Sequence, residues 1–435
     1  MRYELVRGTR DLLPDDVARW RRIEETFRAV ARRYNYREIR FPILEGTDLF
    51  ARGIGETTEV VTKQMFTFPD QKGRSLTLRP EGTASAARAY LNHGFHVNDP
   101  FQKWSYLGPM FRYEKPQKGR YRQFDQYGIE VFGSLEPTVD VEVIALAWTL
   151  MSDLRIGGLR LKLNSIGCAE DRERFNDVLR EHFGGSIDAM CADCQRRHTE
   201  NPLRILDCKE ARCQPFIEAA PGSAEHLCPE CSKHFAVVRT LLDELGLAYE
   251  IDPRLVRGLD YYTRTVFELV SDDLGSQDAL LGGGRYDGLV ETFGGPPTPA
   301  VGFAGGVDRL AIVLEERETT ESAAGIDLYL LALGEPGHAL ALRLADELRR
   351  LGVCVDLDHR NRKFNKQMSE ANRLGARHLL VIGEDEVASG SGKLKEMATG
   401  EEKDVALEAE ALAERIVSGC NGDCGCGNHA QGGSR

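Results

Sequence analysis

Between Ser105 and Gly133 apolar and polar residues alternate on either side of a short break, Lys115 to Gly119. Alternation of period two marks a half-buried strand, and Pro116 and Gly119 are turn residues, so the stretch predicts a β-hairpin. In its second arm Phe124, Gln126, Gly128 and Glu130 share one face, and Asp125, Tyr127, Ile129 and Val131 the other. In the first arm Met110, Arg112 and Glu114 share a face. A turn centred near Lys118 sets Arg112 opposite Phe124 on that face, a register that a slip of one residue would break.

Elsewhere the period changes. Val17, Trp20, Ile23, Phe27, Val30 and Ala31 recur every three or four positions, which predicts a helix over 14–35 with Pro14 in its first turn. IRFPILEGTDLF, from Ile39 to Phe50, reads as an extended run that Pro42 confines to an edge. MFTF and SLTLR read as short strands around the turn PDQKGR. A helix is expected from about Thr83 to Leu91, another from about Thr138 to Leu154, and a strand at LRLKLNSI. From Cys168 to about Lys233 helical spacing, charge and cysteine replace the alternation, as in an inserted module. The strand pattern returns between Leu247 and Val270, then in LGGGRYDGL and AVGFAGGVDR, before the helix LAIVLEE. Beyond the polar linker RETTESAAG, the strands DLYLLAL, VCVDLDH and HLLVIG alternate with helices. The predicted organisation is an α+β domain on a mainly antiparallel sheet over 1–322, with a helical, Cys-rich insert at about 168–235, then an α/β domain at 325–418. The tail, 419–435, reads as disordered.

A chain of 435 residues supports two or three cores, and 29 % charged with 42 % hydrophobic residues describes a soluble globular protein. No apolar run approaches the ~18 residues of a membrane span. The charged N-terminus has no apolar signal region, so the cytosol is expected, with the cysteines reduced. The net charge of −12 argues against nonspecific coating of nucleic acid. Against that background residues 112–122 carry Arg112, Lys115, Lys118, Arg120 and Arg122 opposed only by Glu114, a local polyanion site. No GxxxxGK[ST] occurs, and LGGGRYDGL lacks the strand–turn–helix setting of a dinucleotide fingerprint. A nucleotide here would be held by arginines on a sheet.

Two CxxC pairs in a reduced compartment predict a structural Zn²⁺ bound by Cys191, Cys194, Cys228 and Cys231, with Cys208 and Cys213 between them. Reduced cysteines in a helical module are the alternative. Cys420, Cys424, Cys426 and His429 in the tail form a second candidate group.

The chain from Arg7 to about Ile416 resembles the class II aminoacyl-tRNA synthetases, and among them the histidyl-tRNA synthetase family. RGTRDLLP resembles the N-terminal segment, FPILEGTDLF the dimer-forming motif 1, FRYEKPQKGRYRQFDQYGIEVFG motif 2 and GFAGGVDRL motif 3. TLRPEGT and LVRGLDYYTRTVFE resemble the histidine-specific segments. The resemblance implies ATP-dependent ligation of L-histidine to tRNA(His) through histidyl-adenylate, with Mg²⁺ accompanying ATP, in a cytoplasmic homodimer whose last domain binds the anticodon. It implies catalytic roles for Arg112 on the α-phosphate, Arg257 on the histidine carboxylate and α-phosphate, and Arg309 on adenine or the γ-phosphate. Phe124 would stack on adenine, with Glu114 and Arg120 beside the nucleotide. Glu81, Gly82, Thr83 and Gln126 would surround the α-ammonium group, and Glu130, Tyr261 and Tyr262 the imidazole, with Gly128 leaving room for ligand. Gln117 and Lys118 would meet the acceptor end of tRNA. In the basic run HRNRKFNKQ, Arg360, Arg362 and Lys363 would meet the anticodon, with Phe364 for stacking. Nothing resembles an editing domain.

Two competitors belong to other classes. An inactive relative serves as a regulatory subunit of the first enzyme of histidine biosynthesis, but generally lacks the last domain and departs from these motifs. A histidine sensor without tRNA has no use for the basic loop.

Overall fold

The first long helix, Pro14–Arg33, follows its apolar spacing: Trp20, Ile23, Phe27, Val30 and Ala31 are all buried. The computed structural model describes residues 3–55, 58–117, 119–272, 279–317 and 325–418. Lys118, the linker residues 318–324 and the tail with its cysteines lie outside these. The chain forms two units, Met1–Glu318 and Thr319–Arg435, each around cores of its own.

Among the described residues of the first unit eleven strands follow in order: β1 (Arg37–Glu38), β2 (Leu44–Gly46), β3 (Phe66–Pro69), β4 (Ser75–Leu78), β5 (Gln102–Phe111), β6 (Gln123–Phe132), β7 (Leu159–Ser165), β8 (Tyr249–Ile251), β9 (Thr263–Ser271), β10 (Ala279–Arg285) and β11 (Ala300–Gly306). Eight of them form one sheet, ordered β1-β5-β6-β11-β10-β9-β7-β8. Its interior ladders are antiparallel, and only the two edge pairs, β1 with β5 and β7 with β8, are parallel. β2, β4 and β3 make a small separate sheet.

The expected extended run from Ile39 to Phe50 is mostly not a strand. Only Leu44–Gly46 is extended, and a helix, Thr47–Ile54, starts directly after it. Phe50 and Ile54 lie one turn apart and are fully buried, so the apolar spacing beyond Gly46 is helical.

β5 and β6 form the expected hairpin, with its face assignment intact. Tyr127, Ile129 and Val131 bury against Phe27, Ile144 and Leu310 from the helices Pro14–Arg33, Pro137–Asp153 and Val307–Arg317. The opposite face carries the site. The register differs from expectation: Phe124 pairs with Met110, and Arg112 donates its N–H to the Arg122 carbonyl at 2.9 Å. The offset is two residues, so Arg112 keeps its face, and its guanidinium carbon lies 5.5 Å from the centre of the Phe124 ring.

The insert is packed onto that same face. Phe175, Leu179, Leu203 and Ile205 share one cluster with Tyr106, Tyr261, Tyr262 and Tyr286.

The second unit contains β12 (Leu328–Ala332), β13 (Val355–Leu357), β14 (His378–Ile382), β15 (Ser391–Glu396) and β16 (Glu402–Ala406), ordered β13-β12-β14-β15-β16. The first three are parallel and alternate with helices, as the periodicity predicts. The antiparallel pair β15–β16 was not expected. These strands bury little beyond Gly392, Leu394 and Val405, and their charged residues hide the period. Among the described residues no helix is long and apolar enough to cross a membrane.

Candidate active site

An open cleft of about 300 Å³ lies over β6, β11, β10 and the start of the helix Thr83–Asn92. Its two ends differ in chemistry. One is lined by Arg112, Glu114, Arg120, Phe124 and Arg309, and the other by Glu81, Thr83, Gln126, Tyr261 and Tyr262, with Arg257 also on its wall.

The cationic end is built from the hairpin and from the first turn of the helix Val307–Arg317. Arg112 is fixed by its Nε donating to the Pro80 carbonyl at 2.9 Å, and Arg309 by Nη1 donating to the Ala279 carbonyl at 2.6 Å. A carbonyl orients a guanidinium without cancelling its charge. Burial, and then Arg120 nearby, lower the Arg309 pKa from its ordinary value, the response of cations gathered without enough counter-charge. Glu114 lies 3.6 Å from Arg120. The N-terminal segment braces this end. Arg10 pairs with Asp308 at 2.7 Å and lies 4.2 Å from the centre of the Tyr121 ring.

Arg257 comes from the loop before β9. It pairs with Glu268, while its buried Nε has no hydrogen-bond partner among the described residues. Its guanidinium packs against Gly282, where a Cβ would come within 2.0 Å of Nη2. Only glycine permits that approach.

The other end is a carboxylate and tyrosine cage. Glu81 caps the helix Thr83–Asn92 by accepting the N–H groups of Thr83 and Ala84 at 2.7 and 2.9 Å. Burial nevertheless raises its pKa, against those bonds and Arg112. Gln126 Oε1 accepts the Gly82 N–H at 3.1 Å. Glu130 lies behind Thr83. It accepts the Thr83 hydroxyl at 2.7 Å, the Tyr106 hydroxyl at 3.3 Å and the Tyr286 hydroxyl. Burial pushes its pKa up to about 8, with Glu81 adding and the hydroxyl donors opposing. The Tyr261 and Tyr262 rings are 4.7 Å apart, and Tyr261 reaches Tyr286 at 5.5 Å.

Tyr286 and Tyr106 are the residues that sequence reasoning missed. Tyr286 follows Arg285, which is wholly buried and held by Asp140 at 2.7 Å and Asp287 at 3.2 Å. That anchor fixes the end of β10 and so places the Tyr286 hydroxyl. Its sequence signal was a tyrosine directly after the glycine run. Gly128 does not leave room for ligand as expected. A Cβ there would come within 2.4 Å of the Tyr106 hydroxyl, so the space is filled by that ring.

Three groups of expected residues lie outside the cleft. Gln117 forms a tight turn with Arg120, through bonds of 3.2 and 2.9 Å, and Lys118 lies outside the described residues. In the second unit Arg362 is bound by Asp358 at 2.5 Å and Glu370 at 3.4 Å, and Arg360 reaches Glu370 at 3.3 Å. The basic run is thus partly neutralised by acids that flank it in sequence. Lys363 stands at the N-cap position of the helix Phe364–Arg373 without a side-chain capping bond, and Phe364 is 40 % exposed. Finally, Cys191, Cys194, Cys228 and Cys231 do not meet as one set. The two CxxC pairs belong to separate groups, Cys191 with Cys194, Cys208 and Cys213, and Cys228 with Cys231, Cys168 and Asp171. Each pair opens a different helix, which keeps them apart.

A family model described as histidyl-tRNA synthetase matches residues 8–310, and one described as anticodon binding domain matches residues 327–417. The histidine–tRNA ligase of Natranaerobius thermophilus is 47 % identical over 94 % of this chain and 97 % of its own. That of Anaeromyxobacter sp. (strain K) is 49 % identical over 96 % of this chain and 100 % of its own. The crystal structure of apo S. aureus histidyl-tRNA synthetase covers 95 % of this chain and 100 % of its own, with a TM-score of 0.80 at 39 % identity.

Proposed function

The chain belongs to the histidyl-tRNA synthetase family, and from that premise we propose that its cleft joins L-histidine to ATP and then to tRNA(His). The observation that carries the reading is the two-ended cleft: arginines held by carbonyls at one end, a carboxylate and tyrosine cage at the other, and Arg257 on the wall.

The cage suits an amino acid with an imidazole. Glu81, Thr83 and Gln126 offer acceptors to the α-ammonium group. An imidazole brings one donor and one acceptor, so a selective site needs a partner for each. Tyr262 and Glu130, reached past Thr83, are the pair assigned to it, with Tyr261 as a wall. A site whose buried polar groups are left unpaired by the wrong side chain discriminates strongly without editing.

At the other end Phe124 stacks on adenine and Arg112 takes the α-phosphate. Arg309 covers the nucleotide or its γ-phosphate, and Arg120 and Glu114 close the site. The histidine carboxylate, already ionised, attacks the α-phosphorus, and pyrophosphate leaves as the acyl–phosphate bond forms. No general base is needed for that step. Negative charge grows on the phosphate oxygens, and fixed cations stabilise it at little reorganisation cost. Arg257, whose Nε has no partner among the described residues, spans the carboxylate and the α-phosphate. Mg²⁺ would supply counter-charge to the ATP phosphates, and Glu114 would be the residue to hold it. Glu114 is a hard oxygen donor suited to it, and an ion that keeps most of its water needs few such ligands. The terminal ribose hydroxyl of tRNA then attacks the acyl carbonyl and AMP leaves.

The loop around Gln117 and Lys118 is assigned to the acceptor end of tRNA. The second unit, with Arg360, Lys363 and exposed Phe364, is assigned to the anticodon. A homodimer in the cytoplasm completes the reading, its dimer contact supported by Ile43 and Leu44, which the motif 1 segment leaves 42 % and 47 % exposed. Acylation of purified tRNA(His) with labelled histidine tests the whole. Adenylate formation without acylation would leave only an adenylate-forming relative.

A further inference from the structure

We propose that Cys191, Cys194, Cys208 and Cys213 bind one Zn²⁺, which staples the insert behind Arg257. The four sulfurs are buried and lie within 4.8 Å of one another. Cys191 Sγ and Cys208 Sγ are 3.8 Å apart. A ZnS₄ tetrahedron with bonds of about 2.3 Å has edges of about 3.8 Å. The backbone is arranged for thiolates as well. Cys194 N–H points at Cys191 Sγ at 3.4 Å, and Cys191 N–H at Cys213 Sγ at 3.3 Å. Such donors stabilise charge on sulfur. On binding, four Zn–S bonds form and the thiol protons pass to solvent, with no change of oxidation state.

The neighbouring group, Cys168, Asp171, Cys228 and Cys231, is equally close-set but carries no proposal. Asp171 is already occupied, accepting the N–H groups of Cys168 and Cys228 at 3.3 and 2.9 Å and pairing with Arg174.

The segment between Cys194 and Cys208 gives the site its consequence. Arg204 Nη1 donates to the Arg257 carbonyl at 2.6 Å, Asn201 Nδ2 to Asp260 at 3.1 Å, and Arg197 pairs with Glu59 at 3.1 Å. Anchoring both ends of this segment on one ion fixes the loop that presents Arg257. Zinc is therefore a positioning element for histidine activation, and that consequence rests on the function proposed above. The metal site itself does not.

Elemental analysis of full-length chain expressed with zinc tests it. Wild type should hold about one zinc per chain at this group, and Cys208→Ser or Cys213→Ser should lower the content by about one, with Cys228→Ser unchanged. Refilling metal-stripped wild type with Co²⁺ should give the intense visible bands of a tetrahedral tetrathiolate, a readout that survives if the serine variants fail to fold. Cys208→Ser should also lower kcat/KM for histidine about tenfold in pyrophosphate exchange. Zinc below about 0.2 per chain, zinc lost from Cys228→Ser but kept in Cys208→Ser, or these cysteines found as disulfides would overturn the proposal. Metal content is read without activity, so a chain that binds zinc but fails to activate histidine would count only against the ligase reading.

Discussion

Arginines mark both units of this chain, but they are held in opposite ways. In the cleft, Arg112 and Arg309 are oriented by carbonyls, at 2.9 and 2.6 Å, and keep their charge. In the second unit Arg362 lies between two carboxylates, and Arg373 and Arg362 together hold the Glu370 carboxyl down at about 2. A carbonyl positions a cation for an incoming anion, whereas a carboxylate satisfies it in advance. Arg257 stands between these cases: Glu268 takes one edge, and its Nε stays unpartnered among the described residues. A cation read from a sequence is thus most available to a ligand where carbonyls rather than carboxylates hold it, as at Arg112 and Arg309.

The sharpest way to break this contrast is Arg257→Ala. Pyrophosphate exchange should fall by about 10³ or more while thermal unfolding of the chain changes little. A variant with wild-type exchange would remove the role assigned to Arg257. Next comes Gly282→Ala, whose Cβ would sit 2.0 Å from Arg257 Nη2. Displacing the guanidinium should lower kcat/KM for histidine by about 10- to 100-fold. Adding the change to Arg257→Ala should cost little more, because both act through one group.

Glu130 offers a smaller effect on another axis. Burial raises its pKa from 4.5 to about 8 in the folded chain. The folded state therefore holds the proton more tightly than the unfolded state. That stabilisation is complete at low pH, fades as pH rises between those two values, and is gone above the higher one, with a slope of at most about 1.4 kcal/mol per pH unit. Urea unfolding across that range should show the decline in wild type and a flatter curve in Glu130→Gln. Equal slopes would mean that Glu130 is not held protonated. The smallest effect is expected for Arg362→Ala, which should change kcat/KM for tRNA in aminoacylation by less than about twofold, since that cation is already neutralised. A loss approaching that of Arg257→Ala would erase the distinction between the two settings.

Much of this was legible because the signals are local. The hairpin, its two faces and the helix Pro14–Arg33 follow from periodicity alone. The resemblance brought Arg112, Phe124, Glu81, Thr83 and Gln126 to one site, and the structure lines one cleft with them. What escaped was set by distant partners. The hairpin register is not set by the turn: Gln117 and Arg120 close it about the expected centre, but the arms leave the ladder before reaching it, where the Arg122 N–H is taken by the Gly8 carbonyl at 2.7 Å. Tyr286 reaches Glu130 only because Arg285 is anchored on Asp140, 145 residues away in sequence. The metal candidates were paired by the spacing of two CxxC units, but folding joins Cys191 and Cys194 to Cys208 and Cys213, whose four-residue gap resembles no simple ribbon. Arg362 looked available because its acids, Asp358 and Glu370, fall just outside the basic run.

The central claim is that one end of the cleft selects histidine while the other activates its carboxylate. The most direct test is ATP–pyrophosphate exchange by the purified chain with one amino acid supplied at a time. Histidine should support exchange, and glutamine and phenylalanine should support less than about 10⁻³ of that rate, because each leaves polar groups of the cage unpaired. Folded protein that shows no exchange with histidine, or equal exchange with all three, would contradict the account.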